Sequence, residues 1–470
     1  MKHLELTSTI DEYNDNLSGF SIPTVALVED ENQVYFPTVY TLKYHAQQPV
    51  DDIPYMCGAY ADGKSLYLMV NFEDWSDEAN HQHTDRGVFV FTKNKPNSIE
   101  TRFKGRIGNE GDNYYLIYAG KDFNGYHKAI STPKTADYED VYYENVILNG
   151  GDEKAWESIG IDASTPFLRD IHGTRLYPSS QLITYQGYTY FGAYNWGFGD
   201  YSTNQKGRRA YICRTADFHT FEARLLMDCS VCGSIVDNKS NVKQITEPDI
   251  VINSNGECFF VIRASGWNSC IDTSNENTGY YYGEIDNIVA FFEANNMHYM
   301  WSEEYDSITH DFTPITAMTE EEREEFKIHM RMCHFVNTST VSKGGSQQGV
   351  LPRILFNHKK NRPMVVFYTR SDSKNQKDNN QLYLHANPRI KGDKQFVKIG
   401  KSHPNNKTAS PQGGNMGLSL WGDDLFIACP HDRTYEVSIF IIPLDCVDNN
   451  AKGIYNLPNL EDGIVKSIQF

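Results

Sequence analysis

The chain has 470 residues, of which 40% are hydrophobic, 22% charged and 13% aromatic, and its formal net charge is -18. That charge argues against nucleic acid or an anionic membrane surface as partner, because both are held chiefly by Lys and Arg. No uncharged apolar run approaches the length of about 18 residues that membrane insertion needs, and nine scattered Cys, an odd number, argue for a chain made in a reducing cytoplasm rather than a disulfide framework.

The first 20 residues, "MKHLELTSTIDEYNDNLSGF", have neither strong periodicity nor the apolar core of a signal peptide, and are expected to be an N-terminal arm or attachment segment. Residues 21–470 are then expected to form a single domain. Along it one pattern recurs. Apolar strands "SLYLMVNF" (65–72), "NYYLIYAG" (113–120), "YTYFGAYN" (188–195), "ECFFVIRAS" (257–265), "PMVVFYTRS" (363–371) and "DLFIACPHD" (424–432) are each followed by a polar loop and a partner: "GVFVFT", "YHKAIST", "RAYICRT", "HYMWSEE", "NQLYLHA" and "VSIFIIPL". Turn signals such as "ADGK", "YQGY", "NSNGE" and "WGDD" precede most first strands, and supply positive φ without a Cβ clash. A further apolar strand lies before several of those turns: "QLITY", "DIVIN", "RILFN", "LSLW".

Six such antiparallel units in series predict an all-β fold, a six-bladed β-propeller with long loop insertions. A two-sheet sandwich is the competing architecture, but its turns come closer together. The longest insertion is placed at about 267–349. One short helix is expected there, near 319–332, in "MTEEEREEFKIHMRMC", where Thr319 and Glu322 form a capping box and acids lead.

A propeller gathers residues from distant blades around a central funnel. The residues that end the first strands, Lys121, Asn195, Arg263, Arg370 and Asp432, are therefore candidates. Two arginines in equivalent places could fork a ligand carboxylate; alternatively each pairs with a carboxylate of a neighbouring blade. A general acid and base would come from Asp30, Asp74, Asp170, Glu247, Asp249 or Glu284. "EDWSDEANHQHTD" (73–85) matches no standard metal loop, and "CSVC" (229–232) lacks a second pair, so no metal and no cofactor are expected. The loops "YNWGFGDY" (194–201), "SGWN" (265–268) and "TGYYYGE" (278–284) carry aromatics, Trp196 and Trp267 among them, whose flat faces suit sugar rings.

"TEPDIVINSNGECFFVIRAS" (246–265) resembles a blade of the sialidase family, in which a Glu precedes one strand and an Arg ends the next. The resemblance implies a tyrosine-activating role for Glu247, with Asp249 beside it, and a substrate-clamping role for Arg263. "GVLPRILFNHKKNRPMVVFYTRS" (349–371) resembles a later blade, with Arg353 or Arg370 as a further clamp residue. "RTADFHTFEA" (214–223) resembles the Asp-box turn, through Asp217, Thr220 and Phe221. Two departures follow: Ser21-Ile22-Pro23 stands where the family has Arg-Ile-Pro, and "GGNMGLSLWGDDLF" (413–426) lacks the nucleophilic tyrosine. The resemblance, spanning about 20–444, thus implies a glycan-recognising propeller that is non-catalytic or degenerate, with an active glycoside hydrolase as the alternative. "SIPTVALVEDENQVYFPT" (21–38) also resembles the opening of virion and tail proteins of phages of gut Bacteroidales. It implies a tail or receptor-binding protein, or a purely structural virion component, with homo-oligomer or virion assembly as the expected partnership.

Overall fold

The computed structural model describes residues 5–10, 20–26, 38–44, 52–74, 82–95, 98–106, 114–133, 146–150, 157–158, 176–195, 209–218, 220–228, 244–265, 279–294, 299–301, 330–338, 350–369, 381–389, 396–401, 416–430 and 436–444. They fall into six separate sheets of four to six strands. One strand of each sheet neighbours its counterparts in the sheets before and after: Asp52–Asp62, Tyr114–Lys121, the pair Leu176–Pro178 and Ile183–Tyr185, Gln244–Ile252, Val350–Asn357 and Gly417–Trp421. These inner strands close into a ring, so the sheets are the six blades of a β-propeller, numbered here in the chain order of their inner strands.

The second strands read as nearly unbroken apolar runs because both their faces are buried. Alternation assigns each face. In Cys258–Ser265 of blade 4, Cys258, Phe260, Ile262 and Ala264 pack toward blade 3, while Phe259 and Val261 pack toward blade 5. In Arg362–Thr369 of blade 5, Val365 and Phe367 face blade 4, and Met364 and Val366 face blade 6. Blades 6 and 1 share Trp421, Phe426, Leu66, Leu68 and Phe91. Each such side chain contributes roughly 1.5–3 kcal/mol by leaving water.

The ring is closed by strands from both ends of the chain. Thr38–Tyr44 pairs with Glu436–Pro443, and Phe20–Ala26 lies outside it, so blade 6 contains residues far apart in sequence. Across the closure, the Trp421 indole N–H donates to the Lys64 carbonyl at 3.0 Å, and Lys93 donates to the Trp421 carbonyl at 2.8 Å. Six residues of the expected N-terminal arm, Glu5–Ile10, add a parallel strand to the outer edge of blade 1.

Three expectations change. The third strand of blade 4 is Gly279–Ile285, not "HYMWSEE"; Tyr299–Trp301 of that stretch instead pairs with Phe221–Asp228 at the outer edge of blade 3. Residues 330–332 of the expected helix are strand, because Met330–Asn337 is the outer strand of blade 4; the rest of that helix lies outside the described residues. The helix that is seen, Ile288–Glu293, follows the third strand. Asn287 caps it, its side-chain oxygen accepting from the N–H groups of Val289 and Ala290 at 2.9 and 3.1 Å, and Ile288, Phe291 and Phe292 are buried between blades 3 and 4. No helix among the described residues is long and apolar enough to cross a membrane.

Candidate functional site

The propeller has two ends. At one, tight turns join each inner strand to the next. At the other, inner strands begin and second strands finish; we call this end the mouth. Asn195 and Arg263 lie at the mouth, by register opposite Leu176 and Thr246. Lys121 does not: it ends an inner strand, so it sits at the turn end, where it pairs with Asp62 at 2.5 Å. Glu284 is also at the turn end, bonded to Arg389 at 2.6 Å and to the Tyr282 hydroxyl. Arg370, Trp196, Trp267, Asp30, Asp170 and Asp432 lie outside the described residues.

Near the mouth four inner strands lose regularity. Register shifts occur between Pro54 and Met56, between Tyr114 and Ile117, and between Thr246 and Asp249. The inner strand of blade 3 is interrupted from Ser179 to Leu182. Bulges re-aim side chains and leave backbone groups without a ladder partner. In blade 4 the bulge holds Glu247 at φ 52°, a left-handed conformation that a glutamate adopts only when its surroundings impose it. Glu247 Oε2 accepts from Arg263 Nη1 at 2.8 Å, and both side chains are 13% exposed. The acid lies two residues before Asp249 and sixteen before the arginine, so the bulge and the hairpin together create the pair.

Beneath this pair lies Arg353, from the inner strand of blade 5, buried. Its Nη1 donates to the Ser179 carbonyl of blade 3, and its Nη2 donates to the Tyr118 hydroxyl of blade 2 at 3.1 Å. Nη1 also lies 3.7 Å from Asp249 Oδ1 of blade 4. One guanidinium therefore crosses the axis and joins four blades. Asp249 Oδ2 accepts from the Ile354 N–H at 2.8 Å, and the Ser179 hydroxyl donates to the Pro248 carbonyl at 2.5 Å. Burial pushes the Asp249 carboxyl up to about 6, against the opposing pull of Arg353 and the Ile354 and Ile250 N–H groups. Burial also works against the Arg353 charge, but the Tyr118 hydroxyl and Asp249 overcome it and hold the guanidinium above the usual arginine value.

Of the two arginines that sequence placed in an anion fork, Arg263 is matched to a carboxylate within its own blade and Arg370 lies outside the described residues; Arg353, the alternative clamp residue, is matched to a carboxylate across a blade boundary. Asp249 and Arg353 are fasteners of the ring, and Glu247 with Arg263 is the part that meets solvent. Sequence reasoning missed Tyr118 and Ser179. Tyr118 sits inside an apolar run, and only its inward alternation within "NYYLIYAG" marks it. In the Asp-box-like turn, Asp217 Oδ1 accepts from the Thr220 N–H at 2.7 Å and Phe221 is buried, so Asp217 shapes a turn between outer strands of blade 3. Ser21-Ile22-Pro23 lies in the outermost strand of blade 6, away from the inner ring. Among the described residues no group of three or more His, Cys, Asp or Glu gathers in metal-binding geometry, and the buried Cys57, Cys213, Cys258 and Cys429 are free thiols.

No protein-family model and no curated protein sequence matches the chain. Solved structures of similar architecture do. An α-L-arabinanase of Penicillium chrysogenum, complexed with arabinobiose, is 10% identical with a TM-score of 0.46, over 90% of this chain and 98% of its own. An α-L-arabinofuranosidase of Fusarium graminearum, in complex with an iminosugar inhibitor, is 11% identical with a TM-score of 0.45, over 90% and 98%. A sialidase of Trypanosoma rangeli is 9% identical with a TM-score of 0.43, over 89% of this chain and 57% of its own. These likenesses concern the fold alone.

Proposed function

We propose that this chain is a glycan-recognising propeller that reads a saccharide at the mouth and does not hydrolyse it. The observation that carries the reading is the Glu247–Arg263 pair: a strained bulge holds a carboxyl group and a guanidinium together at the mouth, both partly open to solvent. Uncharged sugars are bound through hydroxyls that both donate and accept, so a charge-assisted acceptor beside a fixed donor suits them. Two-carboxylate hydrolysis needs both acids at the scissile bond. Asp249 is instead bound to the Ile354 N–H and to Arg353 beneath the surface.

A glycan array probed with the intact protein tests this. Binding above background, with no turnover of a panel of aryl glycosides, is expected. A second reading, an active glycoside hydrolase, is favoured by one observation: an Asp249 carboxyl pushed up to about 6 is partly protonated near neutral pH, as a general acid requires. Aryl-glycoside turnover that disappears in Glu247→Gln would replace the first reading by the second. The biological setting we infer is a phage tail or receptor-binding protein, supported by the sequence resemblance of residues 21–38. Detection in purified virions tests that setting, and its failure leaves glycan recognition standing.

A further inference from the structure

We infer that Ser179 is the positioning residue of the mouth: its hydroxyl, from blade 3, seats the Pro248 carbonyl and thereby aims the Glu247 carboxyl of blade 4 at the ligand. The inference rests on the glycan reading above. Its starting point is a conformation that needs a cause. A residue that precedes proline favours extended backbone, yet Glu247, which precedes Pro248, is held at φ 52°. Such a conformation persists only where its surroundings over-determine it. The ladder of blade 4 does not do so. Thr246 pairs with Arg263 and Asp249 with Val261, so Glu247 and Pro248 together stand opposite Ile262, and Pro248 has no N–H to return to the ladder.

Blade 3 supplies the cause. The Ser179 hydroxyl donates to the Pro248 carbonyl at 2.5 Å. Ser179 is itself fixed at both backbone groups: its N–H donates to the Gly192 carbonyl at 2.8 Å, and its carbonyl accepts from Arg353 Nη1. The adjacent Ser180 hydroxyl accepts from the Gly192 N–H at 2.6 Å. Gly192 completes the seat by lacking a side chain, since a Cβ there would stand 2.5 Å from the Pro248 oxygen. Both serines are fully buried, so water does not compete for the Pro248 carbonyl. The rest of the interruption turns the other way: Gln181 Oε1 accepts from the Ala119 N–H of blade 2 at 3.0 Å, and the Leu182 N–H donates to the Ala119 carbonyl at 3.2 Å. Removing the Ser179 hydroxyl frees the peptide that follows Glu247. That residue then relaxes toward extended backbone and withdraws its carboxyl from the ligand.

The test compares Ser179→Ala, Ser179→Thr, Glu247→Ala and the double variant Ser179→Ala with Glu247→Ala against wild type. Affinity is measured by calorimetry with the tightest-binding saccharide of the glycan array, and wild type and Ser179→Ala are crystallised without ligand. Ser179→Ala should weaken binding about three- to tenfold, the worth of one neutral hydrogen bond. Ser179→Thr keeps the hydroxyl and should recover most of that loss. In the Glu247→Ala background, Ser179→Ala should cost nothing further, a non-additivity that a merely structural serine would not produce. In the crystal of Ser179→Ala, Glu247 should have left the left-handed region. Unchanged affinity in Ser179→Ala, an equal further loss in the Glu247→Ala background, or an unmoved Glu247 overturns the inference and leaves glycan recognition intact. If Ser179→Ala fails to fold, Gly192→Ala, which displaces the same carbonyl from its other side, takes its place with the same outcomes. Silence across the whole array overturns the glycan reading, and the position of Glu247 in the variant crystal then decides alone whether Ser179 aims it.

Discussion

Replacing Arg353 with Met should be among the most damaging single changes in the inner ring. Methionine can fill the volume of the aliphatic stem but removes the guanidinium. The Ser179 carbonyl and the Tyr118 hydroxyl then lose a donor, and Asp249 loses the cation 3.7 Å away while remaining bound to the Ile354 N–H. Breaking a buried ion pair from one side costs about 3–5 kcal/mol, most of it the burden of the charge left behind. Arg353 is 5% exposed and Asp249 6%, so solvent gives little relief. Because Asp249 is the stranded charge, the double variant Arg353→Met with Asp249→Asn should recover part of the loss, with a coupling of about 1–3 kcal/mol. Equilibrium urea unfolding, followed by tryptophan fluorescence, reads both quantities. A single-variant loss below about 1 kcal/mol, or strict additivity in the double variant, would refute the view of Arg353 as the axial fastener.

Asp249 also predicts a pH dependence. Its folded-state value of about 6 lies above the ordinary 3.8, so the native state holds this proton more tightly than the unfolded chain does. The associated stability is full below about pH 4 and is lost as pH rises through about 6; urea midpoints of Asp249→Asn should lack this decline relative to wild type. A Cβ at Gly192 would sit 2.5 Å from the Pro248 carbonyl, which is backbone and cannot turn aside. Gly192→Ala should cost about 1–3 kcal/mol and, by moving the residue next to Glu247, should also weaken saccharide binding measured by calorimetry. Trp421→Ala removes a fully buried ring and its bond to Lys64 at the closure of blades 6 and 1. A loss of about 3–5 kcal/mol is expected, seen as a lowered urea midpoint.

The architecture was legible because its signals are local. The Asn255-Gly256 turn illustrates this: Gly256 takes φ 83°, and the Asn253 side-chain oxygen accepts from the N–H groups of Asn255 and Glu257 at 3.0 Å each. Strand alternation in "CFFVIRA" likewise needs only period two. The third strand of blade 4 was hidden because Gly279 and Gly283 look like loop residues. Both are packing residues: a Cβ on Gly283 would collide with the Phe260 ring, and one on Gly279 with the Val336 carbonyl. The helical expectation failed at residues 330–332 because ladder pairing with Gly279–Ile285 outweighed local propensity.

At the site, sequence placed Glu247, Asp249, Arg263 and Arg353 on or beside the right strands. It could not divide them into fasteners and solvent-facing groups. That division depends on one bulge, on the interruption of blade 3 at Ser179, and on which blades adjoin blade 5 across the axis. None of these has a signature within a single segment. Tyr118 and Arg353, 235 residues apart, meet only because the ring closes.

Hydrogen exchange with and without a saturating neutral saccharide, chosen from the array, tests the placement of the site most directly. Slowed exchange is expected in peptides covering 244–249 and 261–265 at the mouth, and unchanged exchange in the turn-end peptides covering 121–127 and 357–361. Protection confined to the turn end, where Phe123 and Tyr126 are exposed, would contradict it.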